Sequence, residues 1–314
     1  MGPSWREEGP AAGRARHATD GGSPMSREIV AGVDGSPESL AAADWAAREA
    51  LHRRLPLRLA HAWRWEPLDI PLVQDRAGQE RAAEELLREA ESTVARSHPD
   101  VTLTAQVLLD TPVAALLGTE ERAEMLVIGS RGQGALVGFL LGSYGQQIIA
   151  GAGRPVVAVR SRDGQPAEPP VGDVLVGQLG SPEDSAAALG FAFETAAARG
   201  ASVRAVRAWS LPPLYAYSPA SMRLADEAGG LVPYEEKALH EALAPWRERF
   251  PEVPVTEHVE LGSAGQVLLS ASGAAQLLVV GRRAKRGAVG PRIGSVAHAA
   301  LHLAPCPVAV IPQD

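Results

Sequence analysis

Apolar residues in this chain fall into two patterns that take turns: short runs, and stripes at helical spacing. Glu28 to Val33 is a mostly apolar run ending in Asp34-Gly35-Ser36. Ser36-Pro37-Glu38 then reads as a helix start, with serine as N-cap, proline at the first helical position and an acid in the first turn. The helix it opens carries Leu40, Ala43, Trp45, Ala46 and Ala50 at helical spacing. Leu57 to Trp63 predicts a second strand, 64–78 an irregular stretch, and Glu80 to Ser97 an amphipathic helix. Val101 to Leu109 predicts a third strand, Pro112 to Glu120 a short helix and Met125 to Ile128 a fourth strand. A loop, a short helix and a fifth strand, Val156 to Val159, close the unit.

The order then repeats. Val174 to Gly177 leads to Ser181-Pro182-Glu183, the same helix start, and an Ala-rich helix to Arg199. Val203 to Trp209, a loop with Pro212, Pro213 and Pro219, and a helix from Tyr234 to Phe250 come next. Val255 to Leu261, Ala264 to Ser272, Leu277 to Val280, a loop and helix, and Val308 to Ile311 complete it. Ser36 recurs 145 positions on as Ser181, and Gly129 recurs 152 positions on as Gly281. The repeat therefore runs through every element and not through one motif. Residues 162–172 lie between the copies as a short, semi-rigid, proline-rich linker. The expected organisation is a disordered tail over 1–25, a first domain over 26–161, the linker, and a second domain over 173–314. Met25 is an alternative start. Strands alternating with helices mean a parallel sheet covered on both faces. Such sheets bind ligands at the carboxyl ends of their strands, where Asp34 and Gly129 fall.

One motif carries chemistry. Gly129-Ser130-Arg131-Gly132 is followed after nine residues by Gly142-Ser143. Glycines at 129 and 132 permit unusual backbone dihedrals and remove side chains that would block a phosphate. Consecutive amides there can form an anion-binding concavity. Gly142-Ser143 opens a helix whose unpaired N–H groups favour a phosphate, Ser143 adds a hydroxyl and Arg131 a positive charge. Asp34 is placed to accept from a ribose hydroxyl or a base amine. The plainer reading is that these glycines make a turn and Ser143 caps a helix. The full spacing, with Asp34-Gly35-Ser36 before it and Pro155-Val156-Val157 after it, weighs more than an isolated G-x-x-G.

On these residues the chain resembles a tandem universal stress protein. ATP-binding members of that family carry G-x2-G-x9-G-[S/T], matched by Gly129, Gly132, Gly142 and Ser143, and an aspartate at the end of the first strand, matched by Asp34. Ala62 matches the residue whose backbone recognises adenine. The resemblance covers residues 27–313. It implies an α/β, Rossmann-like fold of two tandem five-stranded parallel-sheet α/β sandwich domains. Their last strands would pair across a two-fold axis as an internal pseudo-dimer, with a homodimer as a further level. It implies ATP with Mg2+ as ligand, on Asp34, Gly35, Ala62, Gly129, Arg131, Gly132, Gly142, Ser143 and Tyr144. It further implies a cytoplasmic regulatory or stress-response protein that answers to a protein partner. A slow ATPase or phosphotransfer enzyme and a nucleotide-independent interaction module are the alternatives.

The second half departs from the pattern. Leu179 stands at the aspartate position and Ala284 at the second glycine, while Gly281, Gly294, Ser295 and Ala208 remain. The altered loop is basic (Arg282, Arg283, Lys285, Arg286, Arg292). It reads as a surviving anion site, a solvated loop, or a salt-bridge partner for the other half. A net charge of −7 offers no basic field for nucleic acid. No apolar run approaches the roughly 20 residues of a membrane span, so no membrane partner is expected. The single cysteine, Cys306, makes no internal disulfide and reads as a small buried residue. No G-x-x-x-x-G-K-[ST], G-x-S-x-G or paired-carboxylate pattern occurs, so no catalytic residue is assigned. His298 and His302 have helical spacing but lack a third metal ligand. Trp63, Trp65, Trp209, Tyr215 and Tyr217 flank the ends of the second strands and read as packing residues.

Overall fold

The computed structural model describes residues 27–64, 76–130, 142–162, 165–166, 171–210, 230–283 and 293–313. The first half runs β1 (Glu28–Gly32), α1 (Pro37–Arg53), β2 (Leu57–Ala62), α2 (Arg76–Ser97), β3 (Leu103–Leu108), α3 (Pro112–Leu117), β4 (Ala123–Ser130), α4 (Ser143–Gly151) and β5 (Val156–Arg162). A two-residue strand, β6 (Gln165–Pro166), follows. The second half runs β7 (Val174–Gly177), α5 (Ala186–Arg199), β8 (Val203–Trp209), α6 (Val232–Arg249), β9 (Val255–Leu261), α7 (Ala264–Ala271), β10 (Leu277–Arg283), α8 (Ser295–Leu303) and β11 (Val308–Gln313).

Strand order is β3-β2-β1-β4-β5-β11-β10-β7-β8-β9. Every pairing inside a half is parallel, and the two halves meet through antiparallel β5 and β11, with Val157 opposite Ala309. The predicted pairing of last strands is therefore present, and it turns two expected sheets into one continuous sheet. Central strands such as Ile29–Ala31 and Leu126–Ile128 are buried apolar runs, as a sheet covered on both faces requires. At the linker, Ser161 pairs with Pro166 and Arg162 with Gln165, antiparallel, so residues 165–166 fold back on β5.

Local starts explain the elements. Ser36 caps α1 by accepting from the Ser39 amide, with Pro37 at the first helical position. α2 begins at Arg76, four residues before the predicted Glu80. The copy of the α1 start at Ser181 keeps its cap, the Ser181 hydroxyl accepting from the Asp184 amide at 3.3 Å, but it opens a 3-10 turn, Glu183–Ser185, and α5 begins at Ala186. An inserted residue is the reason. The hydroxyls of Ser39 and Ser185 reach back to the carbonyls of Ser36 and Ser181 respectively. Ser36 and Ser181 are 145 positions apart, but Ser39 and Ser185 are 146 apart. Asp184 is the extra residue, and its carboxylate accepts from the Ser181 amide at 3.0 Å and hydroxyl at 3.1 Å.

Besides the β5–β11 pairing, two sets of side-chain contacts join the halves among the described residues. Trp45, Glu49 and Arg53 on α1 are matched, 146 positions on, by Phe191, Thr195 and Arg199 on α5. Spacing of four keeps each trio on one helix face. Arg53 lies over the Phe191 ring at 5.1 Å and Arg199 over the Trp45 ring at 5.2 Å, while Glu49 and Thr195 each accept from Arg53. The second set is reciprocal. Arg160 of β5 donates to the Leu301 carbonyl near the end of α8 at 3.0 Å, and Arg282 of β10 donates to the Ala152 carbonyl at the end of α4. A cation at a helix C-terminus meets carbonyls that lack helical partners.

Candidate functional site

A cavity of about 640 Å³ opens at the carboxyl ends of β1, β2 and β4, with the start of α4 on its rim. Asp34, Ala62, Gly129, Gly142, Ser143 and Tyr144 line it, so six of the nine predicted residues come together. Gly35 does not line it. Its φ of +80° makes the turn after β1, and a Cβ there would meet Leu86 of α2 at 3.0 Å. Arg131 and Gly132 lie outside the described residues, as do Trp65, Tyr215, Tyr217, Ala284, Lys285, Arg286 and Arg292.

The Asp34 carboxylate accepts from the Ser36 amide at 3.0 Å and the Ser36 hydroxyl at 2.5 Å. Burial pushes its pKa up, but these hydrogen bonds outweigh burial and hold it below its ordinary value. The group is thus a fixed, ionised acceptor. Ala62 offers backbone. Val33 donates to the Ala60 carbonyl at 2.9 Å, and the β1–β2 pairing ends at Gly32 and Ala60. Strand groups two apart face the same edge, so the amide and carbonyl of Ala62 face the edge where β1 has ended. Leu116, Ile128 and Ile148 give the cavity an apolar floor.

Gly129 has a packing reason of its own: a Cβ would stand 2.6 Å from backbone atoms of Glu38 and 2.7 Å from the Ser39 amide. It lets the first turn of α1 approach β4. Gly142 differs, since nothing lies within 4 Å of its would-be Cβ. It is the N-cap of α4 and brings no side-chain cap, which leaves the first-turn amides of α4 facing the cavity rim.

Sequence reasoning missed His61. It lines the cavity, and its Nδ1 sits 2.7 Å from the Val33 carbonyl. A carbonyl only accepts, so Nδ1 carries the hydrogen. Its place beside Ala62 at a strand end was the available signal. Glu38 also lines the cavity.

The second half has a corresponding cavity of about 440 Å³. Leu179 sits at its lip, 55% exposed. A carboxylate nevertheless lines this cavity from another position: Asp184, with its Oδ1 3.5 Å from Arg283. The inserted residue supplies it. Arg207, matching His61, donates to the Gln178 side chain, the Gly180 carbonyl and Glu235, and so fastens the turn after β7. Arg282 is not part of a solvated loop; it is buried and bonded to the first half.

His298 and His302 place their Nε2 atoms 3.2 Å apart. Burial, His298 and Arg160 hold the His302 pKa below its ordinary value. Among the described residues no group of three His, Cys, Asp or Glu side chains is placed to hold a metal ion, and no helix is long and apolar enough to cross a membrane. Cys306 is buried.

A sequence model of the universal stress protein family matches residues 25–160 and again 171–312. Two universal stress proteins of Mycobacterium tuberculosis are each 35% identical to this chain over 91% of its length, covering 97% and 96% of their own. The crystal structure of a universal stress protein from Archaeoglobus fulgidus aligns with a TM-score of 0.65 at 17% identity, over 92% of this chain and 99% of that one. A shorter universal stress protein, solved in complex with cAMP, aligns with 44% of this chain and 99% of its own at 26% identity and a TM-score of 0.35.

Proposed function

Because the chain belongs to the universal stress protein family, we propose that it is a regulatory protein whose first half binds ATP. One observation carries the reading: the Ala62 backbone edge, the Asp34 carboxylate and the uncapped start of α4 border a single cavity. Each suits a different part of the ligand. The Ala62 amide and carbonyl meet the donor and acceptor edge of adenine. Asp34, ionised and fixed by Ser36, accepts from the ribose hydroxyls. The amides of Ser143 and Tyr144 meet phosphate oxygens, with the Ser143 hydroxyl beside them. Arg131 and Gly132 complete the phosphate site in this proposal, and Mg2+ is carried on the phosphates. The cytoplasmic setting and a protein partner belong to the same proposal.

Bound ATP would stabilise the fold by linkage and tie the start of α4 to the ends of β1 and β2. A regulatory reading is preferred to hydrolysis because Asp34 is committed as an acceptor near the ribose position. The test is to denature the purified protein and separate any released nucleotide by chromatography, beside a titration with Mg-ATP. About one ATP per chain is expected. No released nucleotide together with no titratable affinity would replace this reading with a nucleotide-independent interaction module.

A further inference from the structure

His298 and His302 stand one turn apart on α8. Residues four apart share a helix face, so the backbone itself brings the two imidazoles together. Their ring centres are 4.2 Å apart and the rings are tilted by 50°, yet their Nε2 atoms are 3.2 Å apart. The rings therefore converge at those two nitrogens. A tetrahedral ion with metal–nitrogen bonds of about 2.0–2.1 Å holds two of its ligands about 3.3 Å apart, and a square-planar ion holds neighbouring ligands about 2.9 Å apart. The observed separation is nearer the tetrahedral value.

The surroundings keep the pair ready to ligate. Burial first, then the charges of His298 and Arg160, hold the His302 pKa below its ordinary value. That ring is therefore neutral near neutral pH, and the neutral imidazole is the form that a metal takes. Arg160 is itself fastened to the Leu301 carbonyl at 3.0 Å. His298 is exposed and His302 half-buried, so an ion reaches the pair from solvent while the inner ring has little freedom to turn away.

The pair stands outside the repeated cavity. Of α8, the second cavity takes Ser295, Val296 and Ala297 from the first turn, and neither histidine lines it. The positions 152 residues earlier, on α4, hold Gln146 and Ala150. The first half has no counterpart, and the pair is an addition of the second half alone.

We propose that His298 and His302 form a binding site for a zinc ion, held by the two Nε2 atoms and by two exchangeable ligands such as water. Among the described residues no third His, Cys, Asp or Glu completes the set, so the site is open rather than closed. Each ring keeps its hydrogen on Nδ1 when Nε2 ligates. The ion cross-links successive turns of α8, whose far end Arg160 clasps from the first half. Occupancy therefore stabilises the folded chain by linkage, at the seam between the halves.

The experiment is a calorimetric titration of zinc ions into the full chain, free of chelator and nucleotide, beside thermal unfolding with and without zinc. About one zinc per chain is expected, with a rise in the unfolding midpoint. Because one helix carries both imidazoles, the second bond is intramolecular. His298→Gln and His302→Gln should each weaken binding at least about tenfold and remove the rise. His298 is exposed, so its substitution spares the packing. His240→Gln and His258→Gln, whose rings meet Glu257 and Glu260, should leave binding unchanged. The proposal is overturned if the native chain takes up no zinc, if uptake survives unchanged in His298→Gln, or if uptake is lost in His240→Gln or His258→Gln. No nucleotide is present in this titration, so its outcome is independent of the ATP reading.

Discussion

The guanidinium of Arg199, on α5 of the second half, lies 2.7 Å from the carboxylate of Glu49, on α1 of the first. Glu49 is fully buried, and Arg53 of its own helix donates to its other oxygen at 2.5 Å. Its repeat partner is Thr195, so the pseudo-two-fold is broken at this point and one carboxylate serves both arginines. Glu49→Ala leaves two buried cations without their anion and should cost about 3–5 kcal/mol, read as a fall in the denaturation midpoint. Arg199→Ala added to it should cost less than the sum of the single changes. Strict additivity would mean that the pair is not coupled.

The same group sets an acid dependence. Burial raises the Glu49 pKa, but Arg199 and Arg53 outweigh burial and hold it below its ordinary value. A carboxylate with a lowered folded-state pKa contributes stability above its unfolded-state pKa and loses it as pH falls through the folded value. Stability should therefore decline below the ordinary carboxylate range, and Glu49→Gln should flatten that decline. An unchanged acid slope in Glu49→Gln would assign the dependence to other groups.

Three glycines should respond differently to alanine. Gly129→Ala drives a methyl group into the backbone of Glu38 and Ser39 and should destabilise by about 1–3 kcal/mol. Gly142→Ala meets open space and should cost below about 1 kcal/mol. Gly281→Ala meets the Gln313 side chain first, which can swing away, and should fall between them. Chemical denaturation of the three variants checks the order.

Asp34 should set sugar preference. Asp34→Ala is expected to weaken ATP about tenfold and to erase any preference for ATP over its 2′,3′-dideoxy analogue. Loss of affinity for both nucleotides in equal measure, with the preference retained, would assign ribose recognition elsewhere.

Arg282 and Arg160 clasp the ends of helices from opposite halves. Arg282→Ala leaves the Ala152 carbonyl without its partner and should cost about 1–3 kcal/mol. Because the clasp spans the two halves, calorimetric unfolding of the native chain should be a single transition. A split transition in the native chain would show that the halves are energetically separate.

Much of this architecture was legible in the sequence. Apolar runs such as Leu126–Ile128 have no other stable use than a buried strand, and Ser36-Pro37-Glu38 encodes its helix start locally. Pairing of β5 with β11 followed from the resemblance. What was missed depends on contacts that the pattern of residue types does not encode. Ser181-Pro182-Glu183 matches Ser36-Pro37-Glu38 letter for letter, so the insertion of Asp184 shows only in the back-bonding of Ser185. Glu49 lies four residues after Trp45 on a buried face, and nothing nearby announces Arg199, 150 positions away. Arg282 reads as loop charge until the end of α4 is seen beside it.

The most direct measurement is the stoichiometry of Mg-ATP binding to the full chain and to its two cavity-filling variants. About one ATP per native chain is predicted, abolished by Leu116→Trp and retained in Leu268→Trp. No binding to the native chain, or binding that survives Leu116→Trp and disappears in Leu268→Trp, would contradict the assignment of ATP to the first half.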